Sequence, residues 1–227
     1  MITKFQNSIP EIVQQVIEQL PMLNRNQIFQ KEDIEMIVGQ LQDDLNFFVQ
    51  NDPATKGSAE LVLNSYASFV AVVAYRIGNC LMKIAKRTGE MIYQIYARKI
   101  SEWAKSNTGV EIHPSATIGS PFVIDHGYGT VIGETSIIGR YCYFLQGVIL
   151  GARGIVGNPD EKRHPTIGDN VHLGAFVQVL GNIFIGSNTI IGPGIKVTHS
   201  IPSGSTLIRH TEYYILRRAS EINYFTL

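Results

Sequence analysis

The sequence predicts an α+β chain in which an N-terminal all-helical domain is followed by a parallel β-helix of hexapeptide repeats. Two observations lead to this prediction. Before residue 108 apolar residues recur at helical spacing, and after it Ile, Leu, Val or Phe recurs every six residues, often with Gly next. A fixed short period of this kind indicates a coiled parallel sheet in which each repeat supplies one short strand and a corner. Thirteen hexads keep this register between residues 112 and 202.

The first part of the helical domain reads as two amphipathic helices between residues 10 and 50, with a break near residues 21–30. In each helix the apolar residues fall on one stripe, at intervals of three and four. Asp52 precedes Pro53, and a residue before proline is pushed out of the helical region of backbone space. We therefore expect the second helix to end at about Asp52.

The rest of the helical domain holds a long apolar pattern from Ala59 to about Lys86, which Gly89 punctuates, and a last helix over Glu90–Lys105. The hydrophobic period then changes from about 3.6 to six residues at Asn107-Thr108-Gly109. These features place the helical domain at residues 1–108.

The β-helix is predicted over residues 109–205, and a C-terminal helical tail over residues 206–227. Position one of each hexad is aliphatic or Phe, and position five is small or branched. Both positions should point into the coil, because side chains alternate between the two faces of a strand.

Two interruptions of the hexads are expected to carry function. Eight residues rather than six separate Ile124 from Ile132, and the surplus follows Asp125-His126-Gly127. A longer loop precedes Ile167 and ends in Arg163-His164-Pro165. Loops on a rigid scaffold often carry binding groups, so the chemistry is expected at these two breaks.

Composition argues against several functional classes. The 227 residues carry a formal net charge of zero, which favours neither nucleic acid nor an anionic membrane. The longest apolar run in the N-terminal half, residues 69–75, is far shorter than the roughly 20 residues of a membrane span. The first residues lack a secretory apolar segment. Cys80 and Cys142 lie in different segments and form no disulfide framework. We therefore expect a cytoplasmic protein without nucleic-acid or membrane partners.

His126 is the leading candidate for a general base, because imidazole takes a proton near neutral pH. An acid such as Glu111 could orient the ring and stabilise its protonated form. The alternative, a solvent-facing corner histidine, stays open on spacing alone.

The remaining candidates suit an amino-acid ligand. Arg163 offers a planar fork for a carboxylate, although Arg163 and His164 also fit a solvated basic loop. Asp52 and Asp125 could hold a cationic amine. Asp52 also fits an ordinary helix terminus, whereas Asp125 stands where the hexads usually have Gly and is harder to explain by packing.

No metal site is predicted. Some parallel β-helix proteins are zinc enzymes with a close histidine pair four residues apart, but His164 and His172 are eight apart. Cys142 occupies an inward position five, which suits a small buried residue and not a nucleophile.

The β-helix contains the stretches IHPSATIG, IDHGYGTVIGETSIIG, LQGVILG, RHPTIGDNVHLGA and VLGNIFIG. Upstream, NDPA precedes a long helix that contains AYRIGNCL. Together these stretches resemble the serine O-acetyltransferases, the hexapeptide-repeat enzymes of cysteine biosynthesis, over roughly residues 45–205. The combination of DHxxGxVIGE with RHP is specific, whereas many acyltransferases share the hexads.

The resemblance implies a left-handed β-helix with three hexads per coil and homotrimers with active sites between neighbouring β-helices, often paired into hexamers through the helical domain. It implies L-serine and acetyl-CoA as substrates and no metal. It gives His126 the role of catalytic base, Glu111 that of the acid paired with it, and His164 that of the second active-site histidine.

The resemblance also implies the binding residues. Arg163 corresponds to the residue that binds the acceptor's carboxylate, and Asp52 and Asp125 to the acids that hold its amino group. The helical domain would thereby form part of the acceptor site. Acyl-CoA would lie along the β-helix edge near a set of small residues: Gly151, Gly174, Ala175, Gly192 and Pro193.

The chain departs from the family pattern at several places. Glu111 replaces an Asp, Arg153 stands where a small polar residue is common, and Phe176 replaces a small residue beside the expected pantetheine track. After the last coil LIRHTEYYILRR replaces AGVPAR. The final Leu227, where many members have Ile, argues against a complex with the sulfhydrylase.

The leading hypothesis is a serine O-acetyltransferase that works by direct transfer in a ternary complex. A second is a paralogous acyl-CoA-dependent acyltransferase acting on another hydroxy amino acid or another amino or hydroxyl acceptor. A third is a non-catalytic or metal-using β-helix protein.

Overall fold

The structure, a computed structural model, describes residues 8–19, 28–154 and 162–209. Among the described residues the helical part contains five α-helices and a 3₁₀ turn at Pro53–Thr55. The helices are α1 (Ile9–Ile17), α2 (Lys31–Asn51), α3 (Ala59–Ser65), α4 (Ala67–Thr88) and α5 (Met91–Thr108).

The helix ends follow local chemistry. Asp52 lies in extended conformation just before Pro53 and ends α2, as predicted. Gly89 and Gly109 end α4 and α5 in the left-handed conformation, at φ of 76° and 71°. The long apolar pattern after Ala59 is divided, because Tyr66 is extended (φ −97°, ψ 103°) and separates α3 from α4.

Helix α4 is the core of the helical domain. By length and composition it could cross a membrane, but 72% of its most apolar window is buried inside the protein. It packs against α5 along most of its length and also contacts α1 and α2. The burial fits the core helix of a folded domain.

After α5 the described residues form a solenoid of short parallel strands in three sheets. Sheet A contains β1 (Glu111–Ile112), β4 (Val131–Ile132), β7 (Ile149–Gly151), β10 (Gln178–Leu180) and β13 (Lys196–Val197). Sheet B contains β2 (Thr117–Ile118), β5 (Ile137–Ile138), β8 (Thr166–Ile167) and β11 (Phe184–Ile185). Sheet C contains β3 (Phe122–Ile124), β6 (Cys142–Phe144), β9 (His172–Leu173), β12 (Ile190–Ile191) and β14 (Thr206–Leu207).

The predicted hexad register is confirmed. All thirteen residues at position one are buried, from Ile112 at 4% exposed to Val197 at 4%. Strands stack in parallel on the equivalent strand of the next coil, with Ile112 paired to Ile132 and Ile132 to Leu150. The protein is therefore N-terminal helices followed by a parallel β-helix, consistent with the left-handed hexapeptide type.

Each coil runs from sheet A to B to C, so the solenoid has three edges. The A–B edge joins each strand of sheet A to the next strand of sheet B, and the C–A edge joins sheet C to the following strand of sheet A. The two predicted breaks lie on different edges: His126 on the C–A edge, and Arg163-His164 on the A–B edge.

The C–A edge turns through a left-handed residue in each coil. Gly109, Gly129, Gly147 and Gly194 take this position with φ of 71°, 80°, 69° and 69°. Phe176 takes it at φ 61°, with its ring over Gly147 and 60% exposed. A left-handed conformation costs an L-residue about 1–2 kcal/mol, so Phe176 is strained where the other coils use Gly.

One buried ion pair joins the two parts of the chain. Arg76 on α4 donates to both carboxylate oxygens of Asp44 on α2, at 2.9 and 3.0 Å. It also donates to the carbonyls of Ile118 and Gly119 in the first coil, at 2.7 and 2.8 Å. Asp44 Oδ1 accepts the backbone N–H of Phe122 at 2.8 Å. Arg76 and Asp44 are only 3% and 1% exposed.

Near the chain's end, β14 pairs with β12, which extends the solenoid to Leu207. Thr206 and Leu207, predicted to begin the C-terminal helical tail, form a strand instead, because they add to the sheet that β12 offers. The rest of the predicted tail falls mostly on residues outside those described. The predicted division near residue 108 stays a prediction, although α5 ends at Thr108 and β1 begins at Glu111.

Replacing Arg76 by Met should lower the free energy of unfolding by about 3–5 kcal/mol, because Asp44 would be left as an unpaired buried carboxylate. Lys31→Met is the matched control. It removes an exposed ion pair with Glu35, whose side chains are 82% and 64% exposed, and should cost less than about 1 kcal/mol. Urea unfolding followed by circular dichroism measures both, and similar losses in the two variants would argue against the proposed role of the buried pair.

Candidate active site

A pocket of about 340 Å³ lies where the helical domain meets the C–A edge. It brings together Asp52 from the end of α2 with Asp125 and His126 from the first break in the hexads. Ser65, Tyr66 and Ser68, from the junction of α3 and α4, form the rest of its polar side-chain lining. Three residues that sequence reasoning selected separately thus share one cavity.

Asp52 is held by the turn that follows α2. Its Oδ1 accepts the backbone N–H of Ala54 at 2.8 Å, and its Oδ2 accepts the hydroxyl of Tyr66 at 3.1 Å. Burial and the bonded Asp52 carboxylate raise the pKa of Tyr66. The side chain is 8% exposed, and it faces the pocket with its charge partly shielded.

Asp125 is held by a second tyrosine. Asp125 follows β3, and its Oδ2 accepts the hydroxyl of Tyr143 at 2.9 Å. Tyr143 lies on β6 one coil further along, where it pairs with Val123. Burial, followed by the bond to Asp125, raises the pKa of the Tyr143 phenol well above its ordinary value, so the phenol stays protonated and donates.

His126 occupies a tight corner. Its φ is 58°, and the backbone N–H of Gly127 donates to the carbonyl of Asp125 at 2.7 Å. A Cβ at Gly127 would lie 3.0 Å from the Cβ of Ser68, so only Gly lets this corner approach α4 closely. The imidazole is exposed, and no side chain in the described ranges hydrogen-bonds to it.

Glu111, expected to pair with His126, has another partner in this chain. Its Oε2 lies 2.6 Å from Nζ of Lys105 on α5. The contact raises the pKa of Lys105. Glu111 and His126 form no ion pair among the described residues, and the predicted role of Glu111 stays a prediction.

A second polar cluster lies on the A–B edge. Arg163 ion-pairs with Glu134, whose pKa stays low despite burial because Arg163 and His113 stabilise its charge. Lys162 donates to the carbonyls of Thr135, His164 and Pro165, and so ties the end of the long loop to the coil below it. These contacts fix Arg163 and His164 at the edge.

His164 is a buried, neutral imidazole. Its Nδ1 accepts the backbone N–H of Thr135 at 3.1 Å, which places the ring proton on Nε2. Burial, together with Arg163 and Lys162, lowers its pKa to about 4. The ring packs over Gly133, where a Cβ would lie 2.1 Å from His164 Cδ2. His164 is therefore arranged as a hydrogen-bond donor at neutral pH and not as a base.

The two clusters lie on opposite edges of sheet A, so a single chain does not bring Arg163 and His164 to His126. The expected acyl-CoA residues divide in the same way. Gly174, Ala175, Gly192 and Pro193 follow strands of sheet C and lie on the C–A edge, whereas Gly151 ends β7 and begins the A–B edge.

Several residues of these clusters were missed by sequence reasoning. Tyr143 stands at the outward position six of its hexad, and the coil repeat of 20 residues places it beside Val123 and near Asp125. That offset is three hexads plus the two surplus residues of the first break. The contact between Tyr143 and Asp125 could therefore have been found from the spacing of the hexads. Nothing in the sequence identified Tyr66 or Lys162.

Among the described residues, no group of three or more His, Cys, Asp or Glu side chains could hold a metal ion. Cys142 is fully buried, and burial raises the pKa of its thiol to about 12.

The chain is similar to known proteins in sequence. A family profile described as bacterial transferase hexapeptide (six repeats) matches residues 164–198. A serine acetyltransferase of Staphylococcus xylosus is 43% identical over 169 residues, which cover 74% of this chain and 73% of that protein. One of Synechococcus elongatus is 40% identical over 168 residues, covering 74% of this chain and 64% of that protein.

The chain is also similar to solved structures of serine acetyltransferases. Serine acetyltransferase isoform 3 of Entamoeba histolytica, in complex with cysteine, has a TM-score of 0.74 at 32% identity, covering 93% of this chain and 73% of that one. The Neisseria gonorrhoeae serine acetyltransferase in complex with serine has a TM-score of 0.75 at 28% identity, covering 90% of this chain and 83% of that one.

The His164 imidazole should titrate with a midpoint near 4 in an NMR pH titration. Because its pKa in the folded state lies below the ordinary 6.5, the unfolded chain takes up the proton first. The stability from burying neutral His164 is thus complete above pH 6.5 and is lost as the pH falls toward 4. Gly133→Ala should expel the ring and move its midpoint up toward 6.5. An unchanged midpoint in this variant would contradict the packing described.

Proposed function

Since the chain belongs to the serine acetyltransferase family, we propose that it transfers the acetyl group of acetyl-CoA to the hydroxyl of L-serine, giving O-acetylserine and CoA. The observation that supports this most directly is the pocket that joins Asp52 and Asp125 to His126. Two carboxylates beside one imidazole suit an acceptor that carries both an ammonium and a hydroxyl group.

The two carboxylates would bind the ammonium group of serine. An ammonium has three N–H donors and a full positive charge, so it matches acceptors that are ionised. Arg163 would bind the carboxylate through its guanidinium fork, exchanging part of its contact with Glu134 for the substrate. The side-chain hydroxyl would then face His126.

The transfer would proceed in a ternary complex of enzyme, serine and acetyl-CoA. His126 takes the hydroxyl proton while the serine oxygen attacks the thioester carbonyl, which forms a C–O bond and a tetrahedral intermediate. When the C–S bond breaks, the imidazolium gives its proton to the leaving thiolate. The proton taken from serine thus ends on the CoA thiol, the electron pair of the C–S bond stays on sulfur, and His126 is regenerated in its neutral form.

Two further groups would support this sequence. The Nε2–H of His164 would donate to the developing oxyanion, since the low pKa keeps the ring neutral at pH 7 and Nδ1 accepts the backbone N–H of Thr135. Glu111 would stabilise the His126 imidazolium, for which it would have to exchange its contact with Lys105.

The complete site would form between chains of a homotrimer. His126 lies on the C–A edge and His164 on the A–B edge, so a head-to-tail arrangement of three solenoids would set one edge against the other at three equivalent interfaces. The acyl-CoA would lie in the same groove, between Gly174, Ala175, Gly192 and Pro193 of one chain and Gly151 of its neighbour. Pairing of trimers through the helical domain and a cytoplasmic location stay predictions.

Replacing His126 by Asn should lower kcat by about 10²–10⁴, because proton abstraction loses its base, while acetyl-CoA affinity stays within about twofold of the wild type. Free-thiol detection of released CoA measures turnover, and calorimetry measures binding. Turnover close to the wild-type rate would remove His126 from the mechanism.

An acceptor panel in the same assay tests the reaction itself. Serine should be at least about tenfold better in kcat/KM than threonine, homoserine or an amino sugar. Threonine adds a methyl group on the carbon that bears the hydroxyl, homoserine lengthens the spacing between ammonium and hydroxyl, and an amino sugar lacks the carboxylate. A preference for one of the other acceptors would favour the paralogous acyltransferase instead.

Mixing two inactive variants tests the shared site. His126→Asn destroys the C–A half and Arg163→Ala the A–B half, so each pure variant should be inactive. In a trimer that contains both, one interface of three pairs two intact halves. After unfolding and co-refolding at equal concentrations, about a quarter of wild-type activity should return. Refolding each variant alone is the control, and no recovery in the mixture would place the whole site within one chain.

A further inference from the structure

Each of the two carboxylates that line the acceptor pocket is hydrogen-bonded to a tyrosine, one in each part of the chain. The helical pair is Tyr66 with Asp52, and the β-helix pair is Tyr143 with Asp125. The pairs are close enough to interact, since Asp125 also raises the pKa of Tyr66 and Asp52 also raises that of Tyr143. The mechanism above uses the carboxylates but gives the tyrosines no role.

We propose that Tyr143 is a positioning residue for acceptor recognition: its hydroxyl holds the Asp125 carboxylate in the orientation that receives the acceptor's ammonium group. This inference deepens the proposed function and rests on it.

The Tyr143 ring is held firmly in place. The ring of Phe47, from α2, lies 6.5 Å away at an interplanar angle of 76°, and the ring of His172 lies 6.1 Å away at 32°. The rings restrict the phenol, and therefore its hydroxyl has little freedom to leave Asp125. Packing alone would not require the Tyr143 hydroxyl to point at a carboxylate.

The hydrogen bonding of Asp125 leaves one oxygen for a ligand. A neutral phenol has a single proton to donate, and Tyr143 gives it to Oδ2. Within the described ranges Oδ1 of Asp125 accepts no hydrogen bond. The arrangement fixes the carboxylate on one side and leaves the other oxygen free for an ammonium.

Asp125 depends on its tyrosine more than Asp52 does. Asp52 also accepts the backbone N–H of Ala54, which belongs to its own turn, so its orientation survives without Tyr66. The Asp125 side chain has no second donor among the described residues. Removing one hydroxyl, that of Tyr143, therefore releases the Asp125 carboxylate to rotate.

The test compares Tyr143→Phe with Tyr141→Phe. Tyr141 is the matched control, because its ring also packs against Phe47, at 5.7 Å, while its hydroxyl bonds to nothing within the described ranges. Tyr143→Phe should raise the KM for serine about tenfold, the usual effect of losing a hydrogen bond to a charged group, while kcat stays within about twofold because chemistry at His126 is untouched. Tyr141→Phe should leave both values near wild type.

A second acceptor separates recognition of the ammonium from general damage. 3-Hydroxypropionate keeps the carboxylate and hydroxyl of serine but lacks the ammonium, so its kcat/KM should not change in Tyr143→Phe, and the preference for serine over it should fall about tenfold. Equal losses for both acceptors, or equal KM values in the two variants, would overturn the inference while leaving the proposed function intact.

Calorimetric binding of L-serine distinguishes the remaining outcomes. A wild-type protein that binds serine but does not acetylate it would refute the proposed reaction, and a tenfold weaker Kd in Tyr143→Phe would still support the role of Tyr143. Failure of the wild type to bind serine would overturn both.

Discussion

The buried ion pair between Arg76 and Asp44 is the contact on which the candidate site depends. Asp44 bonds to the backbone of Phe122 at the start of β3, and β3 leads directly to Asp125 and His126. The same Asp44 lies two turns before the end of α2, where Asp52 stands. A single carboxylate thus sets the distance between two acids from separate parts of the chain. Such a pair adds less to net stability than to geometry, since desolvation offsets much of its attraction.

Much of this architecture could be predicted because a six-residue repeat leaves few choices. Every hexad residue at position one is buried as expected, and the two breaks mark the two polar clusters. The contacts of Tyr66 and Lys162 could not be derived from the sequence. Tyr66 lies at the kink between α3 and α4, and Lys162 lies in a loop that folds back on the coil, and tertiary packing sets both conformations. The partner of Glu111 was also missed. Lys105 reaches it from α5, and the hydrophobic periodicity does not show how that helix is oriented against the first coil.

The division of polar residues between two edges of one sheet has a simple physical origin. Strands of two or three residues make the sheet too narrow to carry a pocket on its face, so side chains with chemical function gather at the corners. Corners of one convex prism point away from each other. A concave site therefore needs either a second domain, as at Asp52, or another solenoid.

Phe176 is a strained position on the C–A edge. The ring is mostly exposed and contributes little burial, yet the backbone beneath it holds a conformation that glycine would adopt without strain. A sequence optimised for stability alone would place glycine there, as the neighbouring coils do. A glycine at this corner would relieve the backbone strain of about 1–2 kcal/mol but would remove the ring that covers Gly147, and would so open the surface of the coil beneath it.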